Sequence, residues 1–224
     1  MQYEEILEKL RTLANPEAVE KMKRFGITAK NILGVSIPNL RTLAKKIGKN
    51  HNLAIQLWSS GIHDARILAS LIEDPTMVTE DQIENWVKEF DSWDIVDQFC
   101  CNLFRKSKFA YQKVIAWSER KEEFIKRTAF SLIAFLTIHD KKKNDEVFLK
   151  FLPMIEREAT DERNFVKKAV NWALRQIGKR NLNLNKKAIE TAKEIQKIDS
   201  RSAKWIASGA LRELESEKIQ NRFK

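Results

Sequence analysis

The residues best suited to chemistry are Trp93 and Asp97, near the middle of the chain. Residues four apart are neighbours on one face of a helix, so this spacing sets an indole beside a carboxylate. Most helices of the chain carry a basic residue at the equivalent position, which makes a single acid there a candidate for catalysis. Asp94 is explained more simply as a first-turn acid that complements the helix dipole, with Asp91 or Ser92 as the cap. Two structural explanations stay open: an ion pair between Asp97 and a neighbouring arginine, and a core position for Trp93.

The charge balance favours an anionic partner. Lys and Arg number 41 against 31 Asp and Glu, and 43% of residues are hydrophobic, which excludes a disordered chain. An excess of positive charge points first to nucleic acid and second to a membrane surface. A basic but merely solvated surface also fits.

The sequence also bears on the compartment. Cys100 and Cys101 are adjacent, which is unsuited to a stapling disulfide and favours a reducing environment. The N-terminus is polar and acidic, unlike a signal peptide, and the longest apolar run, 129–138, is too short to span a bilayer. We predict a cytoplasmic, nucleoid-associated protein without a membrane partner.

The elements that must position the candidate site are helices. Only 6 Gly and 4 Pro occur, and few stretches alternate as strands do. The predicted helices cover 3–14, a second segment to about 25, 38–47, 51–60, 63–73, 80–90, 92–104, 107–118, 121–138, 144–158, 161–179, 184–197 and 201–216. Pro38 suits the first turn of its helix. No linker is long enough to separate two domains.

Short segments of similar pattern recur along the chain, as expected of a repeat protein. They begin at Ala65, Val96, Lys126, Lys167 and Ala203. Pairs of antiparallel helices stacked side by side, as in HEAT repeats, produce this pattern, with one helix of each pair lining a concave face. We therefore predict an all-α, HEAT-like helical repeat solenoid with a concave basic groove, forming a single domain over residues 1–224.

Aligning the repeats gives two columns of side chains. The first holds five cations and one carboxylate: Arg41, Arg66, Asp97, Arg127, Lys168 and Lys204. One turn later the second holds mostly small residues: Lys45, Ser70, Cys101, Ser131, Trp172 and Ser208. A groove lined in this way fits a phosphate backbone, although a solvated charged face is the simpler explanation and stays open. Four other tryptophans are assigned to packing between helices: Trp58, Trp86, Trp117 and Trp205.

Several chemistries are excluded by the motifs. The glycines are scattered singly, so no loop cradles a phosphate, and no Gly-x-Ser-x-Gly occurs. His51, His63 and His139 have no ligand spacing with one another or with the cysteines. We expect neither a metal nor a cofactor.

Four parts of the sequence together resemble the AlkD-type DNA alkylation repair family, the HEAT-like repeat alkylpurine DNA glycosylases. They are Trp93-Asp94-Ile95-Val96-Asp97, Lys126-Arg127-Thr128-Ala129, Lys168-Ala169-Val170-Asn171-Trp172-Ala173-Leu174-Arg175, and Leu33-Gly34-Val35-Ser36-Ile37-Pro38 with Arg41. The resemblance covers roughly residues 16–215. It departs from that family at Phe25, where a tyrosine is expected, and in a polar insertion at 140–145.

The resemblance implies hydrolysis of the N-glycosidic bond of cationic alkylpurines, such as N3-methyladenine and N7-methylguanine, in double-stranded DNA. It implies that the damaged base stays stacked, unlike in most enzymes that act on a base. It makes Asp97 the catalytic carboxylate, Trp93 and Trp172 walls against the sugar, and Arg127 a phosphate contact. The candidate DNA-binding residues are Arg41, Lys45, Arg66, Lys168, Arg175 and Lys204.

The chemistry agrees with those roles. An alkylated purine already carries positive charge and leaves as a neutral base, so the sugar cation is what must be stabilised. A carboxylate opposes that charge and can orient water, and aromatic faces add cation–π attraction. No lysine nucleophile is evident beside Asp97, so we expect hydrolysis without strand cleavage by a monomer. Two alternatives stay open, a non-catalytic solenoid that binds branched or distorted DNA and a protein-binding HEAT scaffold.

Overall fold

The computed structural model of the protein describes residues 1–223. Over this range the chain folds into α-helices joined by turns and loops, with 3-10 turns at Phe104–Lys106 and Glu158–Thr160 and no strand. The prediction of an all-α protein is confirmed. None of the described helices is long and apolar enough to cross a membrane.

The chain divides into two compact units, the first covering Met1–Ala110 and the second beginning at Tyr111. Each unit has a core of its own. The prediction of a single domain over the whole chain stays a prediction.

The first unit contains seven helices within residues 1–110. They are α1 (Tyr3–Thr12), α2 (Pro16–Arg24), α3 (Ile37–Ile47), α4 (His51–Ser59), α5 (His63–Ile72), α6 (Glu80–Lys88) and α7 (Trp93–Asn102). The side chains of Asn15 and Ser36 cap α2 and α3 by accepting a hydrogen bond from the first turn, and a proline stands in that turn of each. Local sequence therefore sets where these helices begin.

An aromatic cluster fills the core of the first unit. The rings of Trp58 and Trp86 stack with centroids 5.0 Å apart, and Phe99 meets both edge-on. Both tryptophans are 4% exposed, which confirms their predicted packing role. Because Phe99 lies on α7, this cluster anchors the buried side of the helix that carries Trp93 and Asp97.

The second unit continues the helical pattern. Its helices are α8 (Ala110–Ser118), α9 (Glu123–His139), α10 (Asp145–Leu149), α11 (Leu152–Arg157), α12 (Asn164–Gly178), α13 (Leu182–Lys197), α14 (Arg201–Leu214) and α15 (Glu217–Gln220). The central helix α9 is largely buried and packs against α12. Trp117 is 1% exposed, as predicted.

The predicted helix over 144–158 is wrong in one respect, because the chain forms two short helices there. Pro153 stands in the first turn of α11. A proline has no backbone N–H and its ring clashes with the preceding turn, so α10 cannot run through it. The break changes the outer connection of the second unit and leaves the helices of the candidate site intact.

Candidate functional site

Trp93 and Asp97 line the same cavity in the first unit. The cavity has a volume of about 580 Å³ and lies between the α1–α3 region, α5 and α7. Three aspartates, Asp64, Asp94 and Asp97, contribute to its lining, together with His63, and no lysine or arginine among residues 1–223 does. The spacing of four residues thus puts the indole and the carboxylate in one wall, as predicted from the sequence.

Trp93 is held in place by a backbone contact from outside α7. Its indole Nε1 donates a 3.0 Å hydrogen bond to the carbonyl oxygen of Phe25, the residue after α2. Trp93 is half-buried, whereas the Phe25 side chain is 72% exposed. The backbone at position 25 therefore contributes to the position of Trp93.

Asp97 is half-buried on α7, one turn after Trp93. The buried side of this helix comprises Ile95, Val96, Phe99 and Cys100. A carboxylate that is partly removed from water interacts more strongly with a nearby positive charge than one in bulk solvent. The role of Asp97 as the catalytic carboxylate stays a prediction.

His63 and Asp94 form an acid–base pair beside these residues. Nε2 of His63 lies 2.8 Å from Oδ2 of Asp94, and the hydroxyl of Ser92 donates to Oδ1 at 2.7 Å. The His63 and Asp94 side chains are only 1% and 15% exposed. Asp94 does stand in the first turn of α7, and its carboxylate has this second role.

The pair shifts both pKa values. Burial has the largest effect on His63 and lowers its pKa. Together, the hydrogen bond to Asp94 and the negative charges of Asp94, Asp64 and Asp91 outweigh burial, so the pKa of His63 lies above its ordinary value. Burial also acts most strongly on Asp94 and raises its pKa. The hydrogen bond and charge of His63, with the Ser92 hydroxyl, outweigh burial, so the Asp94 pKa lies below its ordinary value. The charged form of each group is favoured by the other.

Sequence reasoning missed His63, although the repeat register contained a signal. Counting three residues back from Arg66 and Asp97 gives His63 and Asp94, which meet across neighbouring helices. The same offset from Arg127 and Lys168 gives Phe124 and Phe165. Those two rings stack with centroids 5.7 Å apart. One register position therefore forms inter-repeat contacts in both units.

Asp64 fixes the segment Leu33-Gly34-Val35 that closes another wall of the cavity. Its buried carboxylate accepts hydrogen bonds from the amides of Leu33 and Val35, both at 2.7 Å. Gly34 has φ +77°, and a Cβ there would lie 2.5 Å from the carbonyl oxygen of Asn15. Only glycine fits this turn ahead of α3.

The other two predicted catalytic residues lie in the second unit. Trp172, on α12, is half-buried and meets Phe135 edge-on with centroids 5.0 Å apart. Arg127, on α9, is 5% exposed, and its Nη1 donates a 2.9 Å hydrogen bond to the carbonyl oxygen of Phe165. The predicted phosphate contact of Arg127 and the sugar contact of Trp172 stay predictions.

The predicted DNA-binding cations fall into two sets. Four are exposed: Arg41, Lys45, Lys168 and Lys204. Arg66 is 15% exposed, lies 4.4 Å from the Trp58 ring and pairs with Glu89 at 2.5 Å. Arg175 pairs with Glu213. Lys204 also pairs with Asp199, which is fully exposed, so this ion pair is weak. Exposed cations can reach a phosphate directly, whereas Arg66 and Arg175 are held in part-buried ion pairs.

Trp205 contradicts its predicted packing role, since it is 47% exposed on α14. Its ring lies 5.7 Å from Nζ of Lys167.

Within residues 1–223, no group of three or more His, Cys, Asp or Glu side chains is arranged to hold a metal ion.

Comparison with known proteins identifies the family. The sequence model of the family described as DNA alkylation repair enzyme matches residues 6–214. An uncharacterised protein of Listeria innocua is 24% identical over 88% of this chain and 87% of its own length, and one of Listeria monocytogenes is 22% identical over the same shares. One solved structure superposes on this chain with a TM-score of 0.79 at 20% identity, and the match covers 95% of both chains. It is described as belonging to a new family of proteins related to the HEAT-like repeat DNA glycosylases, with affinity for branched DNA structures. The predicted HEAT-like fold and family resemblance are confirmed.

Proposed function

Because the chain belongs to the DNA alkylation repair enzyme family, we propose that it hydrolyses the N-glycosidic bond of cationic alkylated purines, such as N3-methyladenine and N7-methylguanine, in duplex DNA. The observation that carries the proposal is the shared wall of Trp93 and Asp97 in an acidic cavity of about 580 Å³.

The reaction follows from the charge of the substrate. The bond between the sugar C1′ and the purine nitrogen breaks, and its electron pair goes to the base, which departs neutral. Positive charge then develops on the sugar, as in glycoside hydrolysis. The Asp97 carboxylate opposes this charge in the transition state, and the face of Trp93 adds cation–π attraction.

Water completes the reaction. Its oxygen forms the new bond to C1′, Asp97 orients it, and its proton passes to the solvent. The strand stays intact, because among the residues that line this cavity, all within residues 1–110, none is a lysine able to form a Schiff base with the sugar. The product is an abasic site in unbroken DNA.

DNA binding is assigned to the exposed cations Arg41, Lys45, Lys168 and Lys204. Each would neutralise a backbone phosphate and release counterions, which makes the affinity fall as salt rises. The family resemblance adds a phosphate contact for Arg127 and a sugar contact for Trp172. The damaged base stays stacked in this proposal.

The test is release of 7-methylguanine from methylated duplex DNA by the wild type and by Asp97→Asn. Loss of a preorganised electrostatic group lowers turnover by about 10²-fold or more, so we expect the variant to be inactive in this assay while its DNA affinity is unchanged or higher. Asp81→Asn removes an exposed acid of the same unit outside the cavity and serves as the matched control. Full excision by Asp97→Asn contradicts the proposal.

A second candidate function is binding of branched DNA without catalysis. The observation that favours it is the structural likeness, at 20% identity, to a protein with affinity for branched DNA. This candidate expects tight, salt-sensitive binding to a four-way junction and no release of methylated bases by the wild type. Release of 7-methylguanine that depends on Asp97 excludes it.

A further inference from the structure

A second cavity lies within the second unit, between α12 and α14. Its volume is about 420 Å³, which falls within the usual range for small-ligand sites. Trp205 and Arg212 contribute from α14, and Asn171 and Arg175 from α12. We call it the α12–α14 cavity.

The exposed face of α14 combines an aromatic ring with cations. Trp205 lies four residues after Arg201 and seven before Arg212, so the three share one side of the helix. Both arginines are exposed, and the indole is 47% exposed. The buried Trp58, Trp86 and Trp117 show where this chain uses tryptophan for packing, and Trp205 does not fit that use.

The charge around the indole is predominantly positive. Lys167 lies 5.7 Å from the ring, and Lys168 and Lys204 are exposed on the two helices that form the cavity. The acid in the lining, Glu213, is already shared by Arg175 and Lys179. Lys204 pairs with the fully exposed Asp199, and such surface pairs are weak.

Gly209 keeps the floor of the cavity open. A Cβ at this position would lie 3.1 Å from Nδ2 of Asn171, which donates to the carbonyl oxygen of Ile206 at 2.9 Å. A larger residue would push the amide aside and fill the space next to the Trp205 ring. The lining therefore combines the Trp205 ring with the polar side chain of Asn171.

We propose that the α12–α14 cavity binds an unpaired base of DNA, stacked on Trp205, with its flanking phosphates held by Lys204 and Arg212. An aromatic platform among cations is the arrangement that binds single-stranded nucleic acid, because every base has a stacking face and every link a negative charge. This inference rests on one part of the proposed function, DNA binding, and does not require the excision of damaged bases. It assigns a site for DNA that carries a single-stranded segment, apart from the cavity of Asp97.

The test compares two fluorescein-labelled DNAs that share one duplex sequence, one blunt and one with a single-stranded overhang, at a fixed salt concentration. We expect the wild type to prefer the overhang DNA. Because stacking on an aromatic side chain is worth about 1–3 kcal/mol per base, Trp205→Ala should bind the overhang DNA at least about fivefold more weakly. Trp205→Phe should retain part of the preference, and Ile115→Ala, which removes an exposed apolar side chain elsewhere in this unit, should retain all of it.

A second measurement uses the wild type alone. Photo-crosslinking of a 5-bromouracil in the overhang, followed by peptide mapping, should yield an adduct on Trp205. An adduct elsewhere, an unchanged preference in Trp205→Ala, or an equal loss of affinity for blunt and overhang DNA overturns the proposal. Excision by the wild type from blunt methylated duplex tests the glycosylase proposal independently, since that substrate offers no unpaired base.

Discussion

Nε2 of His63 lies 2.8 Å from Oδ2 of Asp94, so a buried acid–base pair lies at the first turn of α7, the helix that carries Trp93 and Asp97. The two residues are 31 positions apart in sequence and belong to neighbouring helices of the first unit. Removing one partner leaves the other charge partly buried without compensation, which is costlier than the pair itself is stabilising. The stability of the first unit therefore depends on the protonation of both residues.

The first prediction concerns stability and pH. The pKa of His63 is raised above 6.5, so its contribution to stability is complete below pH 6.5 and is lost as pH rises through the folded-state value. The pKa of Asp94 is lowered below 3.8, so its contribution is complete above pH 3.8 and is lost as pH falls through the folded-state value. The pair thus stabilises the first unit most between pH 3.8 and 6.5.

Urea denaturation of the wild type and of His63→Gln checks this. We expect the wild-type free energy of unfolding to decline above pH 6.5 and the variant to show a smaller decline. The variant should lose about 3 kcal/mol at pH 6, where the wild-type pair is charged. His139→Gln, at an exposed histidine, should behave as the wild type. A contribution of His63 that grows from pH 6 to pH 8 would contradict the sign of the shift.

The second prediction concerns Arg127. Its guanidinium holds the carbonyl oxygen of Phe165 inside the second unit, so Arg127→Ala should lower the free energy of unfolding by about 2 kcal/mol. Lys168→Ala, at an exposed cation of the same column, should change it by less than about 0.5 kcal/mol. Chemical denaturation measures both. Equal stability of the two variants would show that the Arg127 hydrogen bond contributes nothing.

The third prediction compares the contribution to DNA binding of an exposed cation with that of a cation held in an ion pair. Lys45 is exposed, so Lys45→Ala should reduce the slope of log affinity against log salt by about 0.9. Arg66 is paired with Glu89 and packed on Trp58, so Arg66→Ala should reduce the slope by less than half as much. Fluorescence anisotropy with a blunt duplex over a range of salt concentrations provides the slopes. A larger effect at Arg66 would mean that DNA displaces Glu89.

The fourth prediction compares two glycines with the same positive φ. Gly34 and Gly48 both have φ +77°, but a Cβ at Gly34 would meet the Asn15 carbonyl oxygen at 2.5 Å, whereas no atom of the described residues lies within 4 Å of a Cβ at Gly48. Gly48 also has ψ −164°, a conformation that is essentially confined to glycine, so Gly48→Ala should cost about 1–2 kcal/mol for the backbone conformation alone. Gly34→Ala should cost about 3 kcal/mol, since the clash adds to the cost of a positive φ. Thermal denaturation of both variants gives the difference, and similar melting temperatures would rule out the close contact.

The helical fold could be predicted because its signals are local. Ser36 and Pro38 mark the start of α3, and a spacing of four residues on α7 is enough to place Trp93 and Asp97 on one face of that helix. The split of the 144–158 helix is also encoded locally, by Pro153, but helical spacing alone does not reveal it.

The remaining features depend on contacts between repeats, which a single sequence does not display. The His63–Asp94 pair can be recognised only by comparing, in the aligned repeats, the residues that lie three positions before the column of cations. The burial of Arg127 and the exposure of Trp205 are set by what packs beside α9 and α14, and an arginine or tryptophan at a given register position is compatible with either outcome. Side-chain type alone therefore could not separate structural from DNA-facing positions.

The acidic lining of the Asp97 cavity has a consequence for selectivity. Among the described residues, the lining of this cavity includes three aspartates and neither lysine nor arginine, in a chain with a net charge of +10. A positively charged surface attracts a polyanion, whereas a cavity lined by carboxylates repels anions and attracts a cation. Under the proposed function, undamaged DNA would be attracted by the surface alone. A methylated purine carries a fixed positive charge on a negative polymer and would be attracted by both, so the opposite potentials of surface and cavity would favour damaged DNA before any bond is broken.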